Sequence, residues 1–148
     1  MGTKRQQEYT KDFYAWALNN AKLLRAGKIN EADIVNVAEE IESMGKSERR
    51  ELINRLAVLI AHLLKWQLQP ARRNNNWKYT IEEQRDEILD LLHESPSLKK
   101  ELEGQLVRAY KRGVLIAATE TSLGKEVFPK TCQFSLEQLI NLKFFPTA

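Results

Sequence analysis

Residues 47–69, SERRELINRLAVLIAHLLKWQLQ, put apolar side chains on nearly every bearing of a helix before Pro70 stops it. Ser47 is placed to cap that helix, and at ~1.5 Å per residue it would span roughly 34 Å. Leu52, Ile53, Leu56, Leu59, Ile60, Leu63, Leu64 and Trp66 cover far more of the circumference than a single stripe. A helix this apolar needs neighbours on several sides. The expected fold is therefore all-α: a single compact bundle of about five to six helices around a central long helix, 47–69. Only 6 Gly and 4 Pro occur in 148 residues, which suits long helices with short connections. One domain, 1–148, is expected, with residues 1–8 as a flexible tail. The run from Leu56 to Leu64 is broken by His62 and flanked by Arg55 and Lys65, too short for a bilayer, so no membrane role is expected.

The other helices are read from periodicity and caps. Phe13, Trp16, Ala17, Leu23 and Leu24 predict a helix over 10–26, ended by Gly27. Asn30 is placed to cap a second, with Ile34, Val37, Ala38, Ile41 and Met44 inward and Gly45 as its stop. Thr80-Ile81-Glu82-Glu83 has capping-box spacing for a fourth helix, and Asn76 could start it a turn earlier. Ser95-Pro96 predicts the start of a fifth that runs to Gly124, with Gly104 and Gly113 as weak points. Ser135-Leu136-Glu137-Gln138 predicts a short last helix, and Phe144-Phe145-Pro146 a plug folded back on the core.

The net charge of +3 is too small to argue for a polyanion partner by itself. Its sign alternates: residues 31–42 carry five acids and no base, 46–73 seven bases and two acids, 77–94 six acids and two bases. Such alternation favours pairing between neighbouring helices. A single cysteine, Cys132, excludes an internal disulfide and makes a cysteine zinc site implausible. With a polar Met1–Tyr9 and no apolar signal core, a cytoplasmic location is expected.

Two clusters could carry chemistry. Glu40 and Glu42 fall on the two rims of the second helix, and Arg55, Leu59, His62 and Trp66 form a stripe on the third. If those rims face each other, a carboxylate beside His62 could act as a general acid or base in an acid–base or metal-dependent hydrolase. The helical-bundle metal recipe needs Glu-x-x-His on two helices, and neither histidine has a glutamate three residues before it. The plainer expectation is a structural ion-pair network, with no metal and no cofactor. The second cluster, Arg72, Arg73, Trp77 and Lys78, combines cations with an aromatic ring as single-strand binders do. Glu82 and Glu83 follow closely and would repel a polyanion, so a polar elbow is expected. Cys132 has no base partner in its own segment and is expected to be inert.

The phrases EEIESMGKSERREL at 39–52, HLLKWQLQPARRNNNW at 62–77, TIEEQRDEI at 80–88 and SPSL at 95–98 resemble the domain of unknown function 29 family. The likeness extends over roughly 8–146. It implies a small, bacterial (mainly cyanobacterial), intracellular, all-helical protein, and it brings no assigned activity and no site residues. The resulting expectation is a protein-binding or regulatory module without catalysis, acting on a protein partner or by self-association. Nucleic acid is the less favoured partner.

Overall fold

In a computed structural model, which describes residues 4–148, the chain is all-α. Six helices follow one another: α1, Lys4–Lys11; α2, Phe13–Arg25; α3, Ile34–Leu68; α4, Asn75–Glu94; α5, Leu98–Thr121; and α6, Leu136–Ile140. Three short 3-10 turns, Ile29–Glu31, Pro70–Arg72 and Lys125–Val127, lie in the connections, and no strand occurs among the described residues. Residues 1–3 of the expected tail lie outside the described residues; Lys4–Lys11 form α1.

The helices expected at 30–45 and 47–69 are one helix. Gly45 does not stop α3, because nothing in the sequence around it offers the chain a turn and the flanking residues all tolerate helix. Asp33, rather than Asn30, stands at its start, where its side chain accepts from Asn36 N. The expected first helix is divided at Asp12, whose carboxylate caps α2 through Ala15 N at 3.1 Å. Helix α4 begins at Asn75, a turn before the Thr80 signal, with Asn74 as cap. Ser95 closes α4 instead of opening α5, and α5 passes through Gly104 and Gly113 unbroken. The capping box at Ser135 and Gln138 forms as read.

By its internal contacts the chain divides into two units, Met1–Ser47 and Glu48–Ala148. In the first, the buried residues are Trp16, Asn20, Ala32 and Asp33. Trp16 packs against the rings of Tyr9 and Phe13, with centroids 4.7 and 5.4 Å away. Its indole Nε1 donates to Asp33 Oδ2 at 3.0 Å, and Asn20 Oδ1 accepts from Asp33 N at 2.7 Å. In the second unit, α3 from Leu52 to Leu64 supplies an apolar core with Ile81 and Ile88 of α4, Leu102 and Ala109 of α5, and Leu139 of α6. At Gly113 a side-chain carbon would stand 2.9 Å from Ile60 Cγ2 and 3.0 Å from the Ala57 carbonyl, so only glycine permits this approach of α5 to α3. Phe145 packs on Trp66 at 4.9 Å and Pro146 is buried, closing the tail over the core.

Candidate functional site

Each candidate residue is placed by a local cause. At the elbow, Pro70 lacks an amide hydrogen and ends α3, and the chain makes one 3-10 turn before Asn74 caps α4 through Trp77 N at 2.8 Å. Arg73 turns inward. Its Nε donates to the Trp66 carbonyl at 2.7 Å, and its guanidinium lies 4.9 Å from the centre of the Trp66 ring. The face of the half-buried Trp77 is taken by Lys65, whose ammonium lies 4.8 Å from the ring centre and bonds to Glu120 Oε2 at 2.5 Å. Arg72 and Lys78 are exposed. The elbow thus covers both tryptophan rings, Trp66 and Trp77, with cations of its own chain, each such stack contributing about 0.5–2 kcal/mol.

Because the two expected helices are one, Glu40 and Glu42 lie in the first unit and Arg55 and His62 in the second. Glu40 accepts a short hydrogen bond from the Tyr9 hydroxyl, and that bond pushes the phenol above its usual range. Glu42 pairs with Lys46, one turn on, at 3.1 Å. Arg55 pairs through Nε with Glu51, one turn back on α3, at 3.0 Å, and ties α3 to α4 through Nη1 to Gln84 at 3.4 Å and Nη2 to Glu87 at 3.6 Å. His62 is 8% exposed, and its Nδ1 donates to the Val58 carbonyl at 2.9 Å. Burial holds the imidazole below its ordinary pKa, against the opposite pull of that carbonyl. Among the described residues no group of three or more His, Cys, Asp and Glu side chains could hold a metal ion.

Two features had no individual signal in the sequence. Arg85, 1% exposed, donates from Nε to the Leu139 carbonyl at 2.8 Å and from Nη2 to the Gln138 carbonyl at 3.2 Å. A cation at the carbonyl end of α6 is favourably placed, and although burial lowers the guanidinium to about 10 it stays charged at neutral pH. An arginine at a position of the α4 apolar stripe, four residues after Ile81, is the only hint the sequence carried. The second feature is a groove of about 610 Å³ between α5 and the segment that follows it, with Cys132 in its wall. Burial pushes the Cys132 thiol above its usual range, so it is a poor nucleophile.

An all-α protein emerges in which most candidate polar side chains are spent on the chain's own backbone and neighbours. Its sequence matches the family described as Domain of unknown function DUF29 over residues 8–145, nearly the whole chain, and the protein belongs to that family. No curated protein and no solved structure matches it.

Proposed function

We propose that this protein is a binding module without catalysis, and that it docks a protein through the first part of α3. One observation carries the reading. Of the apolar face expected to be buried, Ile34, Val37, Ala38, Ile41 and Met44, only Val37 is half-buried and the rest is exposed, Ile41 at 64% and Met44 at 68%. An amphipathic face of this size without cover marks a surface that another chain can bury. Phe13, Tyr14 and Leu18 of α2 are exposed as well.

The partner that this face fits is a second copy. At about 100° per residue, Glu42 and Lys46 flank the same side of the Ile41–Met44 face. Two copies of α3 running antiparallel about a two-fold axis near Met44 set Glu42 of each against Lys46 of the other. The internal Glu42–Lys46 pair is exposed and is worth only a few tenths of a kcal/mol, so exchanging it costs little. Light scattering across a concentration series tests this: a dimer is expected, and Ile41→Asp with Met44→Asp should return it to monomer with the helix content kept. A chain that stays monomeric at every concentration refutes the self-association.

The nucleic-acid reading has less support, because Arg73 and the face of Trp77 are engaged within the elbow. The hydrolase reading has less again, because His62 is buried and bonded to a carbonyl while Glu40 and Glu42 take Tyr9 and Lys46.

A further inference from the structure

The groove beside α5 has a consistent chemistry. Leu106, Tyr110 and Val114 recur at helical spacing along one face of α5, Leu115 borders them, and Phe128 closes the floor from the following segment. Two polar side chains of the lining have carbonyl partners. The Tyr110 hydroxyl donates to the Pro129 carbonyl at 2.5 Å, and the Cys132 thiol to the Phe134 carbonyl at 3.5 Å. The surface inside is mostly apolar, and the groove is within the size range of pockets that hold small molecules.

Cations dominate the rim. Lys111, Lys125 and Lys130 border the groove, and none of them has an ion pair among the described residues. The one carboxylate there, Glu126, folds back onto Gly124 and occupies the place where a side chain on residue 124 would stand. Three ammonium groups around an apolar trough attract a molecule with an acidic head and a hydrocarbon body.

We propose that this groove binds an amphipathic anion: an alkyl chain lying on the Leu106–Phe128 floor, with a carboxylate, sulfate or phosphate head among Lys111, Lys125 and Lys130. A dissolved fatty acid and an anionic lipid both offer this chemistry. The site is separate from the α3 face, and neither proposal depends on the other.

Cys132 is the chain's only cysteine and lines the groove, so its alkylation rate reports occupancy. Laurate below its micelle concentration should slow alkylation by iodoacetamide several-fold, dodecanol should do so much less, and dodecylamine not at all. Calorimetric titration with laurate gives a second readout independent of the thiol. Lys111→Glu/Lys125→Glu/Lys130→Glu, all surface changes, should weaken laurate roughly tenfold and leave the melting curve in place. Vesicles of anionic phospholipid that protect Cys132 where free laurate does not would assign the head group to a lipid. Absence of protection and of heat in both arms overturns the proposal, as does equal protection by dodecanol or laurate binding unchanged in the triple variant.

Discussion

The two units bury opposite kinds of residue. In Met1–Ser47 the enclosed set is one indole and a hydrogen-bonded group of Asn20 and Asp33, while isoleucine, valine and methionine stand outside. In Glu48–Ala148 the enclosed set is mainly aliphatic with Tyr110, Phe128 and Phe134, and the buried polar side chains His62, Lys65 and Arg85 each have a partner of their own. The difference shows that a helix's apolar face is not in itself a core. On α3, one continuous helix, Leu52 to Leu64 are covered from several sides, whereas Ile34 to Met44 are not. Directional bonds hold the first unit in shape, and area removed from water holds the second.

Breaking the second unit should have the largest effect. Leu59→Ala removes a side chain that is fully enclosed, and should cost about 2–5 kcal/mol in denaturant unfolding followed by Trp66 and Trp77 fluorescence. A loss under about 1 kcal/mol would mean that the aliphatic core is not what holds this unit. Asp33→Ala deletes the partner of the Trp16 indole and the cap of α3, and should cost roughly 2 kcal/mol. That loss should appear in Trp16 fluorescence with the other two tryptophans replaced by Phe, while the second unit, followed through Trp66 and Trp77 with Trp16 replaced by Phe, keeps its transition. Equal loss in both would erase the contrast.

Acid should sharpen it. The unfolded chain takes up a proton at His62 near the ordinary value of 6.5, and the folded chain only at lower pH. Stability at His62 is therefore complete above 6.5 and falls as pH drops from there towards the depressed folded value. His62→Gln should flatten that part of the pH dependence of the second unit's unfolding, and an unchanged slope would exclude His62 as its source. The smallest change goes the other way: Gly45 is exposed with nothing near its would-be Cβ, so Gly45→Ala should stabilise α3 by up to about 1 kcal/mol, read from thermal unfolding by circular dichroism.

Much of this fold is written in local pattern. The all-round apolar run around Leu59 declared a central helix, and Ser135 with Gln138 declared the last one. What misled was punctuation that depends on its surroundings. Gly45 carries only a propensity cost, which a helix well anchored by Leu52 to Leu64 absorbs, so it reads as a stop and is none. Asn74 and Thr80 both fit a cap, and the Pro70 turn decides for Asn74 by setting where the chain can re-enter a helix. The candidate sites were less legible. Glu40 and His62 looked like neighbours only because α3 was divided into two helices, and the partners they take, Tyr9 and Val58, follow from burial and packing rather than spacing. The groove beside α5 joins residues 106–115 to residues 125–132, and its shape is set by how the intervening turn lies, which the sequence does not specify.

The place where α5 meets α3 at Gly113 has a consequence for time as well as for shape. With Ile60 and the Ala57 carbonyl pressed against a bare Cα, no water can reach those amides by small local fluctuations. Deuterium should enter around Ala57–Ala61 and Gly113 last of all, at the pace of whole-unit opening, while residues 41–48 of α3 exchange early. That seam is the molecule's slowest clock.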